Sequence, residues 1–384
     1  MLAVLLLGVA AGCGSHRSPP AATAPEGAQQ PMVQAAAPAA AHAGRPMRRR
    51  PVRLTVEVDG DLLIHSPVFD RARALGGGHR YDFAPMLRQL RPWIRGADLA
   101  LCHVETPMSR AAPTGYPRFN TPPALARAIR TTGWDACSTA SNHSLDQGQA
   151  GVDATLRALD RAGVGHAGTA ASARAGRRIL MLRARGVKVA FLAYTVMTNG
   201  LPLPHPWSVD LARPRRIVRD ARRARRQGAR AVIVNLHWGT EYQHAPDALQ
   251  LRLARRLERS RAVTAVVGQH VHVVQPIRRV AGRWVAFGTG NLLSNQTAAC
   301  CPAASQDGML VLLHLRVSGR RSWVERVDYV PVWVRHPDFV VLPVGRALRR
   351  HGSRAAELRA SWARTVATVG RRRGLRPVPR RLPH

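Results

Sequence analysis

The chain has 384 residues, enough for one large domain or two ordinary ones, and its 46% hydrophobic share is normal for a folded core. Against 58 basic residues stand 22 acidic ones, a net charge of +36, and Lys188 is the only lysine. A GC-rich coding bias accounts for most of this arginine, with attraction to a polyanion laid over it; the 5% aromatic share and the lack of any zinc-finger, RRM or helix-turn-helix pattern exclude a sequence-specific nucleic-acid protein.

The chain opens on "MLAVLLLGVAAGC", residues 1–13, an apolar run too short to span a bilayer as a stable anchor. It reads as the hydrophobic region of a secretion signal. "AAGC" resembles a loose lipobox, with Ala10 where Leu is usual, so Cys13 is expected to carry a lipid after cleavage; a plain cleaved signal is the alternative. Either way the protein is expected to be exported, as an envelope lipoprotein or a secreted protein. Residues 14–50 are rich in Ala, Pro and Gln without apolar periodicity, as in a disordered tether.

From Leu54 strands and helices alternate over residues 51–345, the pattern of a layered α/β domain. "LTVEVDGDLLI" is a strand, "APMLRQLRPWIRG" a helix, "ADLALCHVE" a strand, "PPALARAIRTTG" a helix and "WDACSTAS" a strand, followed by a helix after Gln147. "RRILMLRARGVKVAFLAYT" reads as a hairpin or pair of strands, and Pro214–Gly228 as a strongly basic helix, most simply a solvated face. "ARAVIVNLH" and "AVTAVVGQH" are continuous apolar strands of the buried type on either side of the helix "PDALQLRLARRLERS". More strands close the domain. Residues 346–384 are expected to form a basic helical tail with a flexible end. Export permits disulfides; a Cys102–Cys137 bridge is possible, although buried thiols are the simpler reading, and no cysteine spacing fits a structural zinc module.

Oxygen and imidazole donors stand at the ends of these strands. They are Asp59, Asp61 and His65; His103 and Glu105; Asn142 and His143; His237 and Glu241; His270 and His272; and Asn291. A site for two cations needs such a set, with a carboxylate to bridge the ions and His and Asn to complete each shell. His270 and His272 fall on one side if their segment is extended, and converge also if it turns. Trp238 and Tyr242 either shape the pocket or pack in the core. Gly268, Gly288 and Gly290 suit tight turns near ligands, Asp146 a helix cap, and Asp59 and Glu241 positions outside the ligands.

In order, "VDGDLLIH", "ADLALCHVETPM", "STASNHSLDQG", "VNLHWGTEY", "VVGQHVHVVQP" and "FGTGNLLSNQ" resemble the CapA family of capsule and poly-γ-glutamate synthesis proteins, within the calcineurin-like metallophosphoesterase superfamily. The resemblance spans roughly residues 54–315 and implies a four-layer αββα sandwich of metallophosphatase type. It implies two divalent metal ions, with Mn, Fe and Zn equally suited to mixed N and O donors. Asp61 and His272 then serve the first metal, Glu105 bridges, and Asn142, His237 and His270 serve the second. His143 protonates the leaving group. The superfamily's Asp-x-His start is missing from Asp59-Gly60-Asp61, so His65 is a candidate substitute. His103 stands where the family has Asn, either adding a ligand or supporting the ligands from outside. The implied function is metal-dependent hydrolysis of a phosphoester or of a bond in an anionic, polyglutamate-like envelope polymer. The alternative is a non-catalytic, metal-stabilised part of a membrane complex for polymer synthesis and export.

Overall fold

The structure, a computed structural model, describes residues 50–350 and 354–379, together with Ser15, Arg17, Ser18 and Pro20. The signal segment, Cys13 and most of the tether lie outside the described residues. Among the described residues no helix is long and apolar enough to cross a membrane.

Among the described residues fifteen strands form two sheets. Nine strands make the first: β1 (Val52–Leu62), β2 (Leu99–Val104), β3 (Ala136–Ser138), β4 (Gly165–Ala167), β11 (Asn291–Leu293), β12 (Asp307–Ser318), β13 (Arg321–Arg335), β14 (Val340–Pro343) and β15 (Leu375–Pro377). The other six make the second: β5 (Leu180–Ala184), β6 (Val187–Thr195), β7 (Ala231–His237), β8 (Ala265–Gln269), β9 (Ile277–Val280) and β10 (Arg283–Ala286). The first sheet runs β14-β13-β12-β1-β2-β3-β4, with β11 beside β1 and β15 beside β13; the second runs β5-β6-β7-β8-β10-β9. β1 to β4 are mutually parallel, as are β6, β7, β8 and β10. Segments 180–184 and 187–195 form the expected hairpin.

The apolar runs dictate the layers. Alternate residues of β1 and β2 (Val56, Val58, Leu99, Leu101) meet Val189, Phe191, Ile233 and Val267 of the second sheet in one core. The intervening residues Ala100, Cys102 and Val104 face helix Ala124–Thr132 and Phe83, Met86 and Leu90 on the outside. On the far side, Val232, Val234 and Val266 face Ile217, Ala221, Leu253 and Leu257 of helices Pro214–Arg226 and Ala248–Glu258. The order is helix, sheet, sheet, helix, the αββα sandwich expected. Helix Pro214–Arg226 is basic on its outer side and buries Ile217, Ala221 and Ala224, so most of its arginine is a solvated face.

Two expectations are corrected. Cys102 and Cys137, in register on β2 and β3, are joined as a disulfide rather than left as thiols. Residues 354–379 contain the helix expected of the tail, but they are built into the fold. Helix Ala355–Val369 packs through Leu358 and Trp362 on Trp333 and Leu342, and β15 pairs in parallel with β13.

Asp328 of β13 pins this end. Its carboxylate pairs with His314 of β12 at 2.8 Å, Arg326 at 3.0 Å and Arg376 of β15 at 2.7 Å. Burial pushes its pKa up, but the His314 and Arg376 hydrogen bonds outweigh this and hold it at about 2. A depressed carboxyl pKa contributes stability above the unfolded value of ~3.9, and the contribution is lost as pH falls towards the folded value. Asp328→Asn is therefore expected to destabilise the protein at pH 7 by roughly 1–2 kcal/mol, after allowance for solvent screening. Urea unfolding should show the gap closing between about pH 4 and pH 2.

Candidate metal centre

The parallel strands of both sheets end on one edge of the sandwich, where ligands collect in such folds. Asp61 ends β1 opposite His103 of β2 and Asn291 of β11; Glu105 follows β2; and His237 ends β7. The turn after β3 carries Asn142 and His143, and the loop after β8 carries His270 and His272. β1 and β11 approach closely because Gly60 has no side chain: a Cβ there would lie 2.0 Å from the carbonyl oxygen of Gly290. That same carbonyl accepts the Asp61 N–H at 3.0 Å, which seats Asp61 in the site.

The loop after β8 turns instead of continuing extended. His270 and His272 have φ of 92° and 57°, left-handed values uncommon outside glycine and often found at functional sites. The turn aims both imidazoles inward, and the Asp61 carboxylate accepts the His270 N–H at 3.2 Å.

Donor atoms within 4.8 Å of one another form overlapping groups: Asp61, Glu105 and His272; Glu105, His237 and His270; Asp61, His103 and His237; and Glu241, His270 and His272. Glu105 lies between two of these. Its Oε1 is 3.8 Å from Nε2 of both His237 and His272. The Asn142 Oδ1 stands 2.8 Å from His237 Nε2, so Asn142 joins the second group. All six sequence-predicted metal residues are thus brought into one buried cluster.

This donor set fits divalent cations. Glu105 is 1% exposed and neither carboxylate oxygen has a hydrogen-bond partner, while His270 and His237 each leave Nδ1 unpaired. Buried carboxylates without partners carry a large desolvation cost, which a cation offsets. Burial, with like-charge contributions from neighbouring rings, holds His237 well below its usual pKa and His270 at about 3, so both are in the neutral form that binds metals. Burial also opposes charge on His272, but Glu105 and Asp61 overcome it and push that ring up to about 9. Burial drives Glu105 itself well above its usual value, partly offset by His272. Without a cation, His272 is the nearest counter-charge to both carboxylates.

His143 lies beside the cluster. Its Nδ1 is 2.8 Å from Asp146 Oδ2, which also accepts the Phe119 N–H at 2.8 Å, and its ring meets Phe119 edge-on at 4.7 Å. Asp146 therefore orients His143 and does not cap the next helix, whose N-cap is Gln147. Ser141 was not anticipated: its Oγ donates to the Glu105 carbonyl at 2.6 Å, tying the Asn-His turn to β2. Nothing in a lone loop serine signals that role.

Other residues sort by contact. His65 Nδ1 lies 3.1 Å from the Leu63 carbonyl oxygen and 3.3 Å from the Asn295 nitrogen, one or other of which it bonds according to tautomer, and His65 enters none of the donor groups, so it does not replace the missing Asp-x-His histidine. Asp59 accepts from Trp134 Nε1 at 2.7 Å, away from the donors. Glu241 is exposed at the rim, 4.0 Å from His272. Asn291 Oδ1 lies 3.1 Å from His272 Nδ1, and Asn291 Nδ2 donates to Gln296, which reaches the Tyr242 hydroxyl. Tyr242 so lines the mouth, whereas Trp238 is core, bonded to the Phe287 carbonyl.

The family described as "Bacterial capsule synthesis protein PGA_cap" matches residues 55–296. The chain is 24% identical over 293 residues to a Bacillus anthracis protein named capsule biosynthesis protein CapA, covering 73% of this chain and 67% of that one. It is 27% identical over 205 residues to the PGA biosynthesis protein CapA of Bacillus subtilis, covering half of each. Among solved structures it is similar to a calcineurin-like phosphoesterase, YfkN, of Bacillus subtilis, at 12% identity and a TM-score of 0.47 over 81% of this chain and 99% of that one. With more than half its length matched, across the segments that supply every donor above, the chain belongs to the bacterial capsule synthesis protein PGA_cap family.

Proposed function

We propose that this protein is an envelope hydrolase whose site holds two divalent cations and acts on a phosphoester or on a bond of an anionic, polyglutamate-like polymer. The observation that carries this reading is Glu105, a buried carboxylate with no hydrogen-bond partner on either oxygen, its Oε1 3.8 Å from Nε2 of both His237 and His272. Asp61 and His272 would hold one cation, Asn142, His237 and His270 the other, and Glu105 would bridge them. Bound there, such ions polarise the scissile group and acidify water. The protein's own chemistry then falls to His143. Asp146 fixes its Nδ1, which leaves Nε2 to carry a proton to the leaving oxygen. The names of the Bacillus relatives support the polymer class and an envelope location. The test is turnover by the purified full chain on phosphoesters and on polyglutamate with Mn, Fe or Zn supplied. Failure with every metal and substrate contradicts hydrolysis.

Lipidation at Cys13 belongs to the same proposal. Cys13→Ser is expected to move the protein from the membrane pellet to the soluble fraction, as read by immunoblot of fractionated cells.

A second reading, a polymer-holding component of a synthesis and export complex, is favoured by a cavity of about 1090 Å³ at the opposite end of the second sheet. It is lined by Arg183, Lys188, Arg222, Arg226, Arg259 and Arg261 among others, with no acidic residue. Replacing Arg222, Arg226 and Arg259 with Ser is expected to weaken binding of polyglutamate and its retention at moderate salt. If polymer export is lost in this variant but survives Asn142→Ala, the second reading replaces the first.

A further inference from the structure

His103 is the one imidazole of the cluster that the two-cation scheme leaves without a task. It is completely buried, and neither ring nitrogen has a hydrogen-bond partner. A buried imidazole with two idle nitrogens is costly, since its polar atoms are taken from water and given nothing in return. Strand geometry explains where it points. His103 and Glu105 are two positions apart on an extended run, so both face the gap between the sheets. The register of β1 on β2 sets His103 opposite Asp61. Its Nε2 consequently lies 3.7 Å from Asp61 Oδ1, and its ring centroid 4.9 Å from that of His237. Asp61, His103 and His237 present ligand atoms within 4.8 Å of one another, a geometry that a shared cation draws together.

We propose that His103 is a metal ligand, supplied from β2 in place of the imidazole that Asp59-Gly60-Asp61 does not provide, and that it tilts the centre towards a borderline cation such as Zn²⁺ or Co²⁺ over Mn²⁺. This rests on the metal-centre reading above. With His103 the cluster offers four imidazoles (His103, His237, His270, His272) beside the two carboxylates of Asp61 and Glu105. Each nitrogen donor added to an oxygen-containing shell favours the later first-row ions over Mn²⁺.

The full chain, purified metal-free, is titrated with Zn²⁺ and Mn²⁺ against a chromophoric chelator, and its Co²⁺ form is read by visible absorption. In His103→Asn, Zn²⁺ affinity for one of the equivalents is expected to fall at least about tenfold. Mn²⁺ affinity should change by less than about threefold, because the amide oxygen suits the harder ion. The Co²⁺ bands should shift. Unchanged Zn²⁺ and Mn²⁺ affinities with an unchanged Co²⁺ spectrum overturn the proposal while leaving the metal centre standing. A wild-type chain that takes up no metal overturns both. Zinc-loaded wild-type crystals guard against a variant that misfolds: a Zn–Nε2 distance to His103 of about 2.0–2.1 Å is expected, and one beyond about 3 Å contradicts the assignment.

Discussion

Replacing Glu105 with Gln is expected to weaken binding of both cations at least about 100-fold and to bring hydrolysis to background. The substitution keeps the side chain's shape but removes the carboxylate whose Oε1 stands 3.8 Å from Nε2 of both His237 and His272. Loss of a residue that merely supports a ligand costs 10- to 100-fold in metal affinity, so a residue shared between two ions should cost more at each. The metal-free protein should respond in the opposite direction. In the absence of cations Glu105 and Asp61 crowd one another in a buried site, and burial makes charge on Glu105 unfavourable. An amide relieves that repulsion, so the apo variant should melt above apo wild type, whereas the metal-loaded wild type should melt above both. Calorimetric scans of the two proteins, with and without Zn²⁺, read all four states. Equal metal-induced shifts in wild type and Glu105→Gln would mean the carboxylate holds no ion.

His143→Gln should leave metal content intact and lower kcat by about 10²- to 10⁴-fold, the usual range for a lost general acid. Gln cannot deliver a proton, yet it fills the space against Phe119. The deficit should shrink on substrates whose leaving group needs no proton, such as nitrophenyl esters, and persist on alkyl esters. Asp146→Asn is the milder companion. It retains a hydrogen-bond acceptor near Nδ1 but loses the charge that steadies the ring, so it should slow alkyl-ester hydrolysis by less than His143→Gln does. A uniform loss on both substrate types would place His143 in binding rather than in proton delivery.

Much of this was readable from the chain alone, for identifiable reasons. Buried parallel strands such as "AVIVNLH" and "AVTAVVGQH" announce themselves as continuous apolar runs, and their polar ends mark the edge where donors gather. Asp61, Glu105, Asn142, His237, His270 and His272 were legible as candidate donors because each follows an apolar segment at a strand's end. What could not be read depends on neighbours distant in sequence. The three-residue β15 sits inside "GRRRGLRPVPRRLPH", a stretch with no strand pattern, and exists because β13 offers it an edge. The Cys102–Cys137 bond follows from a β2–β3 register that periodicity does not specify. Asp146 has the residue type and position of a helix cap, and only the turn around His143 shows that its carboxylate faces the imidazole. The fate of His103 was open in the same way, since a strand gives the side on which a ring lies but not what stands opposite.

Elemental analysis of the purified full chain after exposure to Zn²⁺ and removal of loosely held ion, run beside Asp61→Asn and Glu105→Gln, bears on the whole reading. Two equivalents in the wild type, a reduced content in Asp61→Asn and almost none in Glu105→Gln are the values the geometry calls for. A wild-type chain that emerges without tightly held metal, or a Glu105→Gln chain that holds as much as wild type, contradicts it.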